Sequence, residues 1–583
     1  MYRLRHALRG LLRHPFFTAV AVLTLALGIG ADTAIFSLVH ATLLRALPYK
    51  EPARILLPWE YSEELRARLG FDRLPSSPGD YTDFHDRNTS FSSFASMRPY
   101  IGGLSLTGAG EPERVSGVRV GSEFFEVLGI QPVAGRTFVR GDTGHLVVIA
   151  ESLWRRRFDA DPKISGRVIS LNGESATVVG VMPSWFRFPA VPELPEALGF
   201  APDPVVWGLD ILTPEQRSRR TGKSFAMIGR LRDGVTPEVA QADLAAIAAD
   251  LAQQFPRSNS GWTVRMVSLR EQLVGRLRPS LLIMLVAVAI VLLIACANVA
   301  NLLLVRATAR RRELAVRRAL GATRASMVAQ LVVESLVLAL VAGAIGLLLG
   351  WWMLKVFLAA PPATLVALTQ ARISVPVVAV TFALAVITGL FFGLIPAWEA
   401  TRGEMLEALR EGGRGTVGSR RGRRLRDVLV VLEVAVALLL LIGTALLVQT
   451  FVQLTRVNTG FRTDGLLTME IALPRTAYEG PLAAGFFDAL VGRVSNLSGV
   501  ESAGVTSNLP LTGTEILAQT TIEGQPRPEP GHEVITENRV VSSGYFKAMG
   551  IPMISGELLP EHTRADGPPL AVISETMART CWP

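Results

Sequence analysis

Five long apolar runs constrain this chain more than any other feature. They cover about residues 16–44, 281–305, 326–358, 373–398 and 428–451. Hydrocarbon offers no partner for a backbone N–H or C=O. A crossing segment must therefore satisfy its own hydrogen bonds, and runs of this length do so as helices. Five membrane helices are predicted. The first run has an arginine-rich start and small residues at 28–31, as a secretory leader would. Its apolar character continues through 34–44, past any such cleavage point, and a full crossing explains that length. The composition agrees: 49% hydrophobic and 19% charged excludes a disordered chain.

The sign of the flanks sets orientation, because cytoplasmic segments carry an excess of Lys and Arg. Residues 1–16 hold Arg3, Arg5, Arg9 and Arg13 and no acid. Residues 306–327 hold seven arginines against Glu313, and 399–427 hold eight against five acids. The connection 359–372 holds only Arg372. Basic and other segments alternate as five crossings require. The expected order is a cytoplasmic N-terminus, then 45–280 outside, 306–327 inside, 359–372 outside, 399–427 inside and 452–583 outside. The three inner segments carry +4, +6 and +3, together more than the +9 of the whole chain. The basic balance is thus a topology signal, and a nucleic-acid partner is excluded.

Residues 45–280 are too long for an unstructured loop. They read as an α+β domain with strands at 113–120, 146–149, 168–171 and 176–181, and an Asn172-Gly173 hairpin turn. Residues 236–255 read as an amphipathic helix with Thr236 as N-cap and Pro237 in the first turn. The chain also repeats itself. Val120, Phe125, Gly129, Ile130 and Gly135 recur as Val541, Phe546, Gly550, Ile551 and Gly556, at a constant offset of 421. VVIAESLW (147–154) recurs as AVISETMA (571–578), and the basic start and first run pair with 423–443. The chain is one unit of about 422 residues and the start of a second, joined through the Gly/Arg-rich stretch 411–426. A full second copy needs about 260 further residues, so the chain is either a fragment or a natural truncation, with a fragment expected.

No catalytic constellation is present in the sequence. Thr221-Gly222-Lys223-Ser224 resembles the tail of a P-loop, but the required first glycine is Arg217. His532-Glu533 begins like a zinc-protease motif whose second histidine position is Thr536, and Leu497-Ser498-Gly499-Val500 matches an ABC signature only by chance. Cys296 and Cys581 make neither a disulfide framework nor a metal site. No cofactor or metal is expected. The strongest signal is 306–327, with Arg310, Arg311, Arg312, Glu313, Arg317, Arg318 and Gly321. Glu313 and Arg317 stand at i, i+4 in the favourable order, and Gly321 would end a short helix. Seven arginines exceed what topology needs, so a protein-docking role is favoured over a plain anchor. Within the runs, Asn298, Asn301 and Glu334 are costly in lipid and are expected to face other helices. Hydrogen bonding between helices is the plainer reading, a substrate path or proton relay the sharper one. Asp32 and Glu433 are placed nearer span ends, where solvation is cheap. Gly343, Gly346 and Gly350 suit close helix packing.

One long outer domain between the first two spans, followed by three clustered spans, resembles the MacB/FtsX-type ABC transporter permeases. RRRELAVRRALGATR (310–324) is similar to that family's coupling helix, and VRVGSEFFEVLGIQPVAGRTF (118–138) to its periplasmic core domain. Residues 12–49, 78–91 and 171–189 resemble the subgroup of acidobacterial duplicated orphan permeases. The resemblance implies a multi-pass α-helical membrane protein of the bacterial inner membrane with MacB-like α+β periplasmic core domains and an internal duplication. Its expected parts are the start and first span (1–44), a core domain (45–280), an FtsX-like permease domain (281–398), a basic linker (399–427), a fifth span (428–451) and a second, incomplete core domain (452–583). It further implies a separate ABC ATPase in trans docking on 306–327, membrane lipid around the spans, a homo- or hetero-dimer of permease halves, and efflux or mechanotransmission to a periplasmic client. The competing readings are a non-transporting membrane regulator or sensor, and a proton-coupled carrier using Glu334.

Overall fold

The computed structural model describes residues 11–45, 47–100, 103–108, 111–189, 194, 200, 203–275, 277–309, 323–359, 371–402, 420–471, 473, 478, 480–511, 517–526, 534–560 and 567–582. In chain order, helix α1 (Pro15–Val39) precedes strand β1 (Ile55–Tyr61), helix α2 (Pro78–Arg87), β2 (Phe91–Pro99), β3 (Leu104–Thr107), β4 (Glu113–Val115) and β5 (Gly117–Val120). There follow α3 (Phe124–Leu128), β6 (Ala134–Gly135), β7 (Leu146–Ala150), α4 (Glu151–Phe158), β8 (Val168–Leu171), β9 (Glu174–Met182) and β10 (Val206–Leu209). Then come β11 (Ala226–Leu231), α5 (Pro237–Gln254) and β12 (Thr263–Ser268), and the long helices α6 (Arg278–Ala309), α7 (Arg324–Ala359), α8 (Val375–Arg402) and α9 (Arg420–Thr455). Residues 458–583 add α10 (Pro481–Ser495), β13 (Leu517–Thr520), β14 (Val534–Glu537), α11 (Tyr545–Met549) and α12 (Glu575–Cys581). Contacts divide the chain into two units, one of Met1–Ala46 with Val274–Val457 and one of Leu47–Leu273 with Asn458–Pro583.

The first unit is helical. Pro15–Leu44, Arg278–Leu303, Arg324–Ala359 and Val430–Thr455 are each long and apolar enough to cross a membrane. The fourth run of the sequence forms α8, whose described apolar stretch, Val375–Phe391, is shorter. Glycines let α1, α7 and α8 approach backbone to backbone. A Cβ on Gly350 would stand 2.9 Å from the Gly30 carbonyl oxygen and from Thr33 Cβ, and one on Gly346 3.1 Å from the Ala26 carbonyl oxygen. Gly343 packs on Ala385 of α8 in the same way. The three glycines thus make the close contacts expected of small residues between membrane helices.

The second unit is built on a mixed sheet in the order β12-β1-β11-β2-β5-β10-β7-β9-β8-β3-β4, with β6 on β9. The β5–β10 and β7–β9 pairs are parallel. Both faces are covered at the centre, so β1 reads as an apolar run interrupted only by Glu60, and all seven of its residues are buried. Alternation sends Ile55, Leu57 and Trp59 to one core with Phe124, Phe125 and Trp207, and Leu56 to the other with Tyr81, Phe84, Leu244 and Leu251. Helix α5 begins where expected, with the Thr236 hydroxyl accepting from the Val239 N–H. The β8–β9 hairpin closes on Asn172 and Gly173, both at positive φ (53° and 83°), which suits the right-handed twist of the flanking strands. The stretch 113–120 is not one strand. It breaks at Ser116, where β4 pairs with β3 and β5 turns to β2 and β10. The Ser116 carbonyl instead accepts the N–H groups of Val205 and Val206.

The sequence repeat is a repeat of backbone. Helices α3 and α11 both end on a left-handed glycine, Gly129 and Gly550, each with φ of 66°. Gly129 and Gly550 each donate to a carbonyl of the preceding turn, and Ile130 and Ile551 donate to Phe125 and Phe546. Val541 bridges Thr506 as Val120 pairs with Met97. The Leu128 carbonyl accepts from Lys50 and the Met549 carbonyl from Arg462.

Replacing Gly350 by Val forces a branched side chain against Gly30 and Thr33 and is expected to destabilise the helical unit by about 1–3 kcal/mol. Thermal unfolding in detergent reads this directly. Gly443→Val, at a position with nothing within 4 Å, leaves the midpoint unchanged.

Candidate functional site

The coupling segment expected from the sequence, with Arg310, Arg311, Arg312, Glu313, Arg317, Arg318 and Gly321, lies outside the described residues. Its two flanks are described. Helix α6 runs to Ala309, and α7 starts after Thr323, whose hydroxyl accepts from the Ser326 N–H at 3.3 Å. Near the end of α6 the Arg306 guanidinium lies over the Phe17 ring of α1, 4.7 Å from its centre.

The intramembrane polar residues divide. Glu334 is buried on α7. Asn301 is half-buried, and its side-chain oxygen has no hydrogen-bond partner among the described residues. Asn298 is exposed, contrary to the expectation that it faces another helix. It stands on the outward stripe Met284, Val291, Asn298 and Val305, whose spacing of seven keeps it on one side of α6. Asp32, which the sequence reading placed near a span end, is buried as deeply as Glu334. It is only 7% exposed, and its Oδ2 has no hydrogen-bond partner. It stands about 4 Å along the axis from the midpoint of Pro15–Leu44. Three helices converge on α1 at this level. Gly28 touches Leu292 and Ala295 of α6, Gly30 touches Gly346 and Leu349 of α7, and the Thr33 hydroxyl meets that of Thr381 on α8 at 3.0 Å. Distance from the middle of the apolar run was the signal available in the sequence.

In the sheet unit, the P-loop look-alike has a structural role. The Lys223 ammonium pairs with Glu60, lies 3.9 Å from Asp80, and sits over the Trp262 ring at 3.9 Å. It is committed to two buried carboxylates and is not free to hold a phosphate. Glu60 and Asp80 are 3% and 1% exposed, so their charges must be matched. Asp80 accepts from Arg220 at 2.9 Å, Asn259 at 2.9 Å and the Ser77 hydroxyl at 2.6 Å. Arg220 also pairs with Asp83 at 2.6 Å. Burial pushes the Glu60 carboxyl above its ordinary value, against the pull of Lys223.

Helix α2 uses nearly every polar residue of PGDYTDFHDRNTSF. Ser77 caps it through the Asp80 N–H, Tyr81 stacks between Phe94 and Phe225, and Asp243 of α5 accepts the N–H groups of Thr89 and Ser90. At its far end His85 reaches Glu123 at 3.4 Å, and Arg140 pairs with the same carboxylate at 2.5 Å. The hydrogen bond to Glu123 holds the His85 pKa above the ordinary 6.5, against the opposing effect of burial. Burial alone would raise the Glu123 pKa, but hydrogen bonds from His85, the Phe94 N–H and Arg140 bring it below the ordinary value. Among the described residues no three His, Cys, Asp or Glu side chains gather as metal ligands would.

Two family models match parts of the chain. Residues 18–247 match the MacB-like periplasmic core domain and residues 285–405 the FtsX-like permease C-terminal domain. The chain is 30% identical over 295 residues to the macrolide export ATP-binding/permease protein MacB of Chromobacterium violaceum, covering 50% of this chain and 42% of that protein. It is 26% identical over 304 residues to the uncharacterized ABC transporter permease YknZ of Bacillus subtilis, covering 51% of this chain and 69% of that one. The solved periplasmic region of MacB from Actinobacillus actinomycetemcomitans aligns at 14% identity with a TM-score of 0.26, over 39% of this chain and 92% of that one. The chain spans less than half the length of the MacB relatives it matches. It carries a region that matches the MacB-like periplasmic core domain and one that matches the FtsX-like permease C-terminal domain.

Lys223→Ala removes the cation from two buried carboxylates and is expected to cost about 3 kcal/mol. Chemical denaturation measures it, and Glu60→Gln in the same background recovers part of the loss. The His85 pair carries its own pH dependence. A raised histidine contributes stability that is complete below its unfolded value of 6.5 and disappears as pH rises through the folded value. The lowered Glu123 contributes above its unfolded value and fails as pH falls through the folded one. Thermal midpoints in the wild type should therefore drop as pH rises above 6.5 and through the raised folded value, and His85→Asn should remove that drop.

Proposed function

We propose that this chain is the permease subunit of an ABC-type transporter in the bacterial inner membrane. A separate ATPase docks on 306–327, and its ATP-driven motion passes through the helices to periplasmic domains that act on a client in efflux or mechanotransmission. The observation that carries the reading is the seven-arginine segment held between α6 and α7 in a chain with the MacB-like and FtsX-like domain pair. Arg310, Arg311, Arg312, Arg317 and Arg318 supply the docking charge, Glu313 the internal brace and Gly321 the stop. Helices of 32 and 36 residues are about 48 and 54 Å long, well beyond the ~30 Å of hydrocarbon. They are long enough to carry a displacement from one side of the bilayer to the other.

In this reading the N-terminus is cytoplasmic, the parts are divided as the sequence suggests (1–44, 45–280, 281–398, 399–427, 428–451, 452–583), and lipid surrounds the spans. The paired left-handed caps at Gly129 and Gly550 support a duplicated permease of the acidobacterial orphan type, whose halves act as a homo- or hetero-dimer.

The test is ATPase stimulation. The full chain, reconstituted in vesicles with the ATPase that co-purifies with it, should raise ATP hydrolysis. Reversing charge at Arg311, Arg312 and Arg317 together should abolish the increase while the protein still inserts. Stimulation that survives the reversals removes the docking assignment. A chain that recruits no ATPase is instead a membrane regulator or sensor of the cell envelope.

A further inference from the structure

Asp32 is the one acid described in the helical unit that lies near mid-helix, is more than nine-tenths buried and takes no hydrogen bond among the described residues. An ionised carboxylate in such a place needs a cation or several donors, because transfer of a bare charge out of water is far costlier than transfer of the neutral acid. Neither is supplied by the described neighbours. The hydroxyls of Thr33 and Ser37 donate to the Ile29 and Thr33 carbonyls of their own helix, and that of Thr381 to the Val377 carbonyl. Among the described residues no lysine, arginine or histidine pairs with Asp32. Arg306 lies over Phe17 and the Lys355 ammonium over Trp351.

The titratable groups of the packed elements are few. Helix α6 carries Cys296 near its middle, with Arg278 and Arg306 towards its ends. Helix α7 carries Arg324 at its start, Glu334 and Lys355, and the Val375–Phe391 stretch of α8 carries none. Helix α1 itself has no titratable residue besides Asp32, and it is flanked by Arg13 and His14 before it and His40 after it. The level is also closely packed, because Gly28 admits α6, Gly30 admits α7, and Thr33 meets Thr381 of α8.

We propose that Asp32 is a proton-binding site inside the helical unit. The closed bundle carries it as the neutral carboxylic acid, and it releases the proton only when α1 parts from α6 and α8 and water reaches it. The ligand is a single proton, and no other group is consumed. Any movement of α1 against its neighbours is then linked to pH, independently of whether an ATPase drives it.

Infrared spectroscopy of the full chain in lipid vesicles tests this. The wild-type minus Asp32→Asn difference spectrum at about pH 7.5 should contain the C=O stretch of a protonated acid, although a free aspartate titrates near ~3.9. The isosteric variant should keep the wild-type thermal midpoint, since Asn replaces a neutral acid. In parallel, dicyclohexylcarbodiimide, which adds only to protonated carboxyls, should modify the peptide that contains Asp32 in the wild type. Carboxylate bands in place of the C=O stretch overturn the proposal, and so does a lowered midpoint in Asp32→Asn. Either result shows Asp32 ionised and held by a cation.

Discussion

The helical unit rests on one close approach, that of the α1 backbone to α7 at Gly30, Gly346 and Gly350. Lipid tails are as apolar as leucine, so burial from water cannot draw these helices together. Packing must do it, and packing improves when backbones can touch. The glycines allow that contact, and Gly389 and Gly393 of α8 make the same accommodation for Ser335 and Ala339 of α7. Once the three helices are fixed at this level, the positions of Asp32, Thr33 and Thr381 follow. The site and the scaffold are then a single arrangement, and a residue that widens the crossing also changes what surrounds Asp32.

The sheet unit solves a different problem with a similar economy of polar groups. A twelve-strand sheet covered on both faces leaves few places for charge. Glu60 sits within an otherwise apolar strand, and Asp80 at the start of a short helix. Lys223 and Arg220 come from one loop to neutralise both. The loop, the helix and the strand are thereby tied together by ion pairs that would be costly to break. The Glu123 carboxylate does the same at the far end of α2, with His85, Arg140 and the Phe94 N–H as its partners. Two charged clasps hold α2 at its ends, and stacked aromatics hold its middle.

The duplication was legible because it is written in residues with strict local demands. A left-handed turn at the end of α3 and α11 needs glycine, and both copies have it. The same holds for Gly135 and Gly556, both at positive φ. Apolar residues that only fill a core can drift between copies. The helix of the first copy buries Phe124, Phe125, Val127 and Leu128, and that of the second buries Tyr545 and Met549.

What the sequence determined by itself was whatever depends on local geometry or on a run of one kind of residue. The helix lengths follow from backbone hydrogen bonding, the Asn172-Gly173 turn from positive φ, and the start of α5 from the Thr236 cap. The tertiary structure decided everything that depends on which side of an element faces a neighbour. It split 113–120 at Ser116 because its first half pairs with β3 and its second half with β2 and β10. It gave Lys223 to Glu60, since partners 163 residues apart leave no local trace. It turned Asn298 outward and Asp32 inward. Composition assigns both residues to an apolar run, but only the packing of α1 and α6 fixes the direction in which each one points.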